Sequence, residues 1–144
     1  MSGSHELRPG RPEDAPACAK IVSDWIAGTA WIGDGPGYAA LETAIAEGMP
    51  LREFHVIGDP VAGYLSLNRE TQQVMGLYVA RPGEGLGRAL MDRAKDGRTY
   101  LQLRSHTPNT AAHRFYEREG FRVVERDLMD GSDGVPEIRM EWRA

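Results

Sequence analysis

The sequence has one cysteine, no long apolar run and no block of basic residues, and each absence excludes a class of protein. Cys18 has no second cysteine to pair with, so the chain forms no internal disulfide. No apolar run approaches the roughly 20 residues that cross a bilayer. No basic-then-apolar signal segment opens the chain. We therefore expect a cytoplasmic protein without a membrane partner.

The charge and composition favour a small enzyme-sized domain over a nucleic-acid binder. The formal net charge is −4, and lysine and arginine are not clustered, which argues against nucleic-acid binding. With 144 residues, of which 41% are hydrophobic and 26% charged, the chain is typical of one globular domain. We expect a single domain over residues 1–144, in which residues 1–5 are a cloning remnant or a disordered tail. We expect no bound metal.

Strand and helix patterns alternate along the chain without repeats or linkers. They predict an α/β (α+β) fold with a mixed, mostly antiparallel sheet of about six to seven strands and helices on both faces. The predicted strands are residues 5–8, 54–57, 64–67, 73–79, 99–104, 122–127 and 137–142, and the predicted helices are residues 12–27, 38–47, 87–95 and 108–119.

A glycine turn connects the predicted strand at 73–79 to the helix at 87–95. It would point bare backbone N–H groups at one place, which suits a pyrophosphate. A nucleotide-triphosphate loop is excluded because Arg88 follows Gly87, and the third glycine of a dinucleotide fingerprint is missing. Arg88 in the first helical turn is unfavourable unless an anion binds there, although Glu84 offers a local negative charge. The alternative is a connection that binds no ligand.

A second segment, residues 109–121, predicts a short helix that ends at Gly120 and is followed by a strand. It repeats the pattern Asn-x-x-Ala-x-x-Phe-Tyr-x-x-x-Gly-Phe, and it follows the glycine turn at a characteristic distance. On these two segments the chain resembles the GCN5-related N-acetyltransferases, the GNAT family. The residues of the pattern are Asn109, Ala112, Phe115, Tyr116, Gly120 and Phe121.

The resemblance implies a GNAT-like fold, acetyl-CoA as cofactor, and acetyl transfer to a primary amine of a small molecule, peptide or protein. Tyr116 would be the general acid that protonates the departing thiolate; the alternative is a core tyrosine that packs beside Phe115. Asn109 would bind the pantetheine arm, or else cap the helix. The cofactor-binding residues implied are Leu77, Tyr78, Val79, Gly83, Glu84, Gly85, Leu86, Gly87, Arg88, Ala89, Asn109, Ala112 and Phe115.

Two features depart from the family pattern. Pro82 stands where the family usually has Arg or Gln, so one phosphate contact is in doubt. The strand at 73–79 has no carboxylate, whereas many members have a glutamate there as general base or as holder of a water chain. His106, His55 and Glu70 are candidates for the base, and the alternative for each is a structural or exposed residue.

The acceptor side is less defined by the sequence. Trp31, Tyr38 and Tyr64 lie in segments that would form the acceptor wall, or else belong to the core. Cys18 lies at a buried apolar position of its helix and has no assigned catalytic role. The rival functions are an acyl-CoA-binding sensor without catalysis and transfer of a longer acyl group. Homodimer formation stays open.

Overall fold

Seven strands and four α-helices follow the apolar patterns of the sequence in the computed structural model, which describes residues 6–33, 35–131 and 133–144. The strands are β1 Leu7–Pro9, β2 Glu53–Ile57, β3 Gly63–Asn68, β4 Gln73–Val79, β5 Tyr100–His106, β6 Arg122–Leu128 and β7 Glu137–Arg143. The helices are α1 Ala15–Ala27, α2 Tyr38–Gly48, α3 Leu86–Lys95 and α4 Thr110–Arg118, with short 3-10 helices at Pro12–Asp14, Ala30–Ile32 and Met49–Leu51. None of the described helices is long and apolar enough to cross a bilayer.

The predicted fold class is confirmed. The seven strands form one sheet in the order β1-β2-β3-β4-β5-β7-β6. Every neighbouring pair is antiparallel except β4 and β5, which are parallel. The parallel pair lies in the middle of the sheet, so the two antiparallel halves meet there.

Several predicted boundaries need correction. The strand predicted at 5–8 is observed at Leu7–Pro9, and residues 1–5 lie outside the described part of the chain. The helix predicted from residue 12 begins as a 3-10 turn and becomes α-helical only at Ala15, a common arrangement at helix N-termini. The strand predicted to end at residue 104 continues to His106 because it pairs there with Glu137 of β7. Such long-range pairing is invisible in a local pattern.

Two apolar clusters cover opposite faces of the sheet, because successive side chains of a strand point to opposite sides. On the first face, α3 and α4 pack against Leu65 of β3 and Leu103 of β5. On the second face, α1 and α2 pack against Val56 of β2 and Tyr64 of β3. Tyr78 of β4 also packs against this second cluster.

Strands β4 and β5 separate soon after they meet. Their pairing is confined to Gln73 with Gln102 and Val74 with Leu103, whereas β3 and β4 are in register at six positions. A register shift opposite Ser66 and Leu67 makes Met75 an extra residue in β4, and such a bulge bends the strand. We call the resulting opening the β4–β5 gap; it lies between residues 75–79 of β4 and 104–106 of β5.

Candidate active site

A cavity of about 1390 Å³ occupies the β4–β5 gap and reaches both faces of the sheet. On the first face it is lined by the glycine turn, the start of α3 and one side of α4. Trp25 of α1 lines it from the second face. A strand pair that is not closed leaves backbone N–H and C=O groups without ladder partners, so the walls of the gap carry free polar groups of the main chain.

The glycine turn lines one end of this cavity. Gly83 and Gly85 have φ values of 85° and 80°, in the left-handed region that glycine favours. Helix α3 begins after Gly85, and no side chain of the described residues caps it. The amide of Ala89 donates to the Gly85 carbonyl oxygen at 3.1 Å, which closes the first turn. The three preceding amides, of Leu86, Gly87 and Arg88, therefore have no intrahelical acceptor and face an uncapped helix end.

Gly87 has a second, steric role. A Cβ atom added there would lie 3.3 Å from Cζ of Phe115. The ring of Phe115 in α4 therefore needs the missing side chain to approach α3 closely. This contact between Gly87 and Phe115 therefore sets how closely α4 packs against the glycine turn.

Positive charge also lines the cavity. Arg88, Arg114 and Arg118 all line it, and none of them forms an ion pair within the described residues. Glu84 pairs instead with Arg81, at 3.0 Å between Nε and Oε1, so its charge is balanced by Arg81 rather than by Arg88. The sequence patterns did not single out Arg114 and Arg118. Their spacing of four residues on α4 is the signal that identifies them as one cationic face.

Tyr116 is half-buried and lines the cavity from α4. Its ring packs against Phe115 and Phe121, with centroids 5.4 and 5.8 Å away. Its hydroxyl makes no hydrogen bond to any described residue, which a fully enclosed tyrosine hydroxyl would need. Burial, with a smaller contribution from Tyr78, raises the pKa of Tyr116 above its ordinary value, so the phenol keeps its proton at neutral pH. The ring therefore packs in the core, and the residue also lines the cavity.

Asn109 caps α4. Its Oδ1 accepts a hydrogen bond from the Ala112 amide at 3.3 Å, as the helix-cap alternative predicts, and both residues line the cavity. Thr107 does not serve as the cap, since its buried hydroxyl has no hydrogen-bond partner in the described chain. The helix predicted to start at residue 108 therefore starts after Asn109.

Four aromatic rings gather on the α1 side of the gap. Trp25 contacts Trp31 at 5.9 Å between ring centroids and Tyr78 at 5.5 Å, both edge-on. The imidazole of His106 lies 6.4 Å from Trp25 and 5.1 Å from Trp31. The sequence does not identify Trp25 as a site residue, because helical spacing alone gives no signal that separates a core tryptophan from one at a cavity.

His106 is held by carboxylates of the loop before β7 and of β7 itself. Its Nε2 lies 2.6 Å from Asp133 Oδ2 and 3.8 Å from Glu137 Oε2. Burial alone would raise the pKa of Asp133, but hydrogen bonds from the Val135 amide and from His106 outweigh it and hold that pKa below its usual range. Asp133 is therefore negatively charged beside the ring.

The three residues predicted for the acceptor wall do not line the cavity. Tyr64 is buried and stacks on Phe54 at 5.0 Å, while Tyr38 is 43% exposed and its hydroxyl donates to the Pro16 carbonyl at 3.2 Å. Trp31 reaches the cavity wall only through Trp25 and His106. Leu77, Tyr78, Val79, Gly83, Gly85, Leu86, Gly87, Arg88, Asn109, Ala112, Phe115 and Tyr116 line the cavity, whereas Glu84 and Ala89 do not.

Two of the three candidate bases are also remote. His55 is buried, and its Nε2 lies 2.8 Å from Glu53, which also binds Arg98. Glu70 lies in the turn between β3 and β4, where its amide is bound by Asn68. Cys18 is fully buried, and burial raises the pKa of its thiol to about 12, so it is no nucleophile.

A family model and several solved structures match this chain. The family model described as acetyltransferase (GNAT) domain matches residues 36–144. No curated protein matches the chain in sequence.

Solved structures share the whole fold. The apo-form of YjaB from Escherichia coli is 21% identical to this chain, with a TM-score of 0.76. The match covers 95% of this chain and 96% of YjaB. YncA from Salmonella typhimurium, solved with its cofactor acetyl-CoA, is 21% identical with a TM-score of 0.75 over 96% of this chain and 93% of its own. A mutant of spermidine N-acetyltransferase SpeG from Vibrio cholerae is 18% identical with a TM-score of 0.71, over 96% and 94%.

Proposed function

This chain belongs to the GNAT acetyltransferase family, and on that premise we propose that it transfers an acetyl group to a primary amine by direct attack, with Tyr116 as the general acid. As a family member it is an acyltransferase that uses acetyl-CoA. The acceptor is an amine of a small molecule, a peptide or a protein; SpeG, which shares the fold, is named for spermidine.

The observation that carries the proposal is that one cavity joins an uncapped helix N-terminus to a tyrosine without a hydrogen-bond partner. The free amides of Leu86, Gly87 and Arg88 suit the pyrophosphate of the cofactor, because a helix N-terminus favours an anion. The unpaired guanidinium of Arg88 beside them adds charge of the right sign. The residues present therefore fit acetyl-CoA.

The residues of the gap would divide the chemistry among them. When bound, acetyl-CoA supplies an acetyl thioester and leaves as a thiolate. A backbone N–H among residues 77–79 of β4 would hydrogen-bond the carbonyl oxygen and stabilise its developing negative charge. The Oη atom of Tyr116 would donate its proton to the departing sulfur, a transfer that general acids typically accelerate by about 10²–10⁴.

Calorimetry with acetyl-CoA and a turnover assay test the proposal together. We expect acetyl-CoA to bind and to raise thermal stability, by about 2.7 kcal/mol when its concentration is 100 times Kd, since the anion site exists only in the folded chain. Release of CoA is then followed with four amines: butylamine, glycinamide, spermidine and a peptide with a free α-amine. We expect turnover of at least one of them.

The two measurements separate the alternatives. Absence of binding at millimolar acetyl-CoA would overturn the assignment of the cavity. Binding without turnover of any amine would overturn the transferase proposal and support the acyl-CoA-binding sensor instead.

A further inference from the structure

We propose that His106 is the general base that takes a proton from the acceptor amine, and that Asp133 positions it. This inference rests on the proposed transferase function. Strand β4 carries no carboxylate, yet an alkylamine with a pKa of ~10.4 is neutral in only about one molecule in a thousand at pH 7.4. A base in the cavity would let the amine bind in its protonated form and lose the proton there.

The strand register places His106 beside the reacting end of the gap. The last pair between β4 and β5 is Val74 with Leu103. Three residues further along each strand stand Leu77 and His106, so His106 is level with the start of the amides proposed to bind the carbonyl. Because β5 is parallel to β4, both positions lie toward the same open end.

His106 also lies on the opposite face of the sheet from Tyr116. Leu101 and Leu103 of β5 belong to the apolar cluster on the α3 side, and alternation along the strand places His106 on the α1 side. Its contacts with Trp25 and Trp31 agree with that side. An amine that enters from the α1 side would meet His106, while the thiolate would leave toward Tyr116.

The hydrogen bonds of the imidazole suit a base. Nε2 is engaged by Asp133 at 2.6 Å, and Nδ1 has no hydrogen-bond partner in the part of the chain that the structure describes. A carboxylate on one ring nitrogen fixes the tautomer that leaves the other nitrogen unprotonated. The same carboxylate stabilises the imidazolium that forms when Nδ1 takes up a proton.

The surroundings of the ring hold it in place and set its charge balance. Trp25 and Trp31 pack on it from α1 and the Ala30–Ile32 turn, and neither is charged. Glu137 of β7 faces Nε2 at 3.8 Å but is shared with Arg104, which binds it at 2.7 Å. From α4, Nε2 of His113 lies 3.0 Å from the His106 carbonyl oxygen. Asp133 is therefore the carboxylate most committed to His106.

The step balances with groups already present. The amine arrives as the ammonium ion and gives one proton to Nδ1 of His106, and the freed lone pair of its nitrogen forms the bond to the acetyl carbon. The carbon–sulfur bond breaks, and the sulfur takes the proton of Tyr116. The nitrogen loses its second proton through water to the Tyr116 phenolate, and the imidazolium of His106 returns its proton to water.

The test compares two probes that differ in basicity, butylamine with a pKa near ~10.4 and glycinamide near ~8. At pH 7.4 we expect His106→Gln to lower kcat/KM for butylamine by about 100-fold or more, and for glycinamide by less than about tenfold, because a weakly basic amine needs the base less. Raising the pH to about 10 should close most of the difference for butylamine. The affinity for acetyl-CoA, measured by calorimetry, should not change.

Two further variants separate a base from a structural residue. Asp133→Asn should lower kcat/KM for butylamine more than for glycinamide at pH 7.4, because the ring loses the partner that fixes its tautomer, and His106→Gln should remove the acidic limb of the pH profile of kcat/KM. His55→Gln is the matched control: it changes a carboxylate-paired histidine outside the cavity and should leave the profile in place.

The outcomes are distinguishable from failure of the transferase proposal. Turnover of butylamine at pH 7.4 that His106→Gln leaves within threefold overturns the base. An equal loss for both amines at every pH also overturns it, since that is the signature of a structural role. If the wild-type chain binds acetyl-CoA but acetylates no amine, the transferase proposal fails, and the base fails with it.

Discussion

The two sides of the β4–β5 gap are built from different chemistry. On the α3 and α4 side, the walls are backbone amides, unpaired arginines and one tyrosine. On the α1 side, they are tryptophan rings and a histidine held by a carboxylate. The first side suits an anionic cofactor, and the apolar rings of the second suit an amine that must be neutral to attack. Substitutions on one side should therefore change cofactor binding or thiolate departure, and those on the other should change the handling of the amine.

The largest effect is expected at Tyr116. Tyr116→Phe keeps the packing against Phe115 and Phe121 but removes the proton, so kcat should fall by about 10²–10³ at saturating acetyl-CoA, with cofactor affinity unchanged. Steady-state kinetics with the best amine of the panel measure it. Tyr100→Phe is the control, because the Tyr100 hydroxyl binds Glu141 outside the cavity. A kcat within about threefold of wild type would make Tyr116 a packing residue only.

The next effect tests the anion end of the cavity. Gly85→Val puts a β-branched residue at φ 80°, a conformation that costs of order 1–3 kcal/mol, so the turn must rearrange and displace the amides. Calorimetry should show acetyl-CoA affinity weakened by about 10- to 100-fold. Gly97→Val is matched, since Gly97 has φ 76°, open space around it and a place at the other end of α3. It should lower stability but not affinity; an equal loss of affinity in both variants would contradict the comparison.

A smaller effect is expected on the α1 side. Trp25→Leu keeps an apolar side chain but removes aromatic contacts with Trp31 and Tyr78, each worth about 0.5–1.5 kcal/mol. The KM for the amine should rise by about 3- to 10-fold while the Kd for acetyl-CoA stays constant. Trp142→Leu, on the α3 side and outside the cavity, is the control for general loss of packing. A change in the Kd for acetyl-CoA without a change in the KM for the amine would show that Trp25 affects cofactor binding, which would contradict the comparison.

The smallest effect belongs to Arg88, which is exposed to solvent. Arg88→Gln should weaken acetyl-CoA binding by about two- to fivefold at low salt, and the difference should shrink as salt screens the charge. Calorimetry at two ionic strengths measures this. Arg93→Gln on the same helix, which does not line the cavity, should have no such effect. Equal salt dependence in the two variants would show that general charge, rather than the position of Arg88, matters.

The α3 and α4 side of the gap was largely predictable, because its residues follow one another in the sequence. The turn from Gly83 to Gly87 and the segment from Asn109 to Tyr116 are continuous, and backbone amides need no particular side chains. What the pattern could not separate were roles that overlap in space: Asn109 is a helix cap, and Gly87 makes room for Phe115. The second role depends on the distance between α3 and α4, which is a tertiary contact.

The α1 side of the gap was poorly predictable, because its residues come from distant parts of the chain. Trp25, Trp31, His106 and Asp133 meet only when α1 packs on the sheet and the loop before β7 returns to β5. Of the predicted wall, Tyr64 became core and Tyr38 an exposed residue at a helix start. Local patterns gave all these aromatics the same weight.

By itself the sequence determined the alternation of strands and helices, the anion-binding turn and the helix that carries Tyr116, because each depends on apolar periodicity or on neighbours along the chain. Only the tertiary structure decided that β4 and β5 separate after Val74 and Leu103, and that His106, rather than His55 or Glu70, lies at the opening. The physical reason is that strand pairing and face assignment are long-range: a side chain's environment depends on which segments pack beside it, and a local pattern does not contain that information.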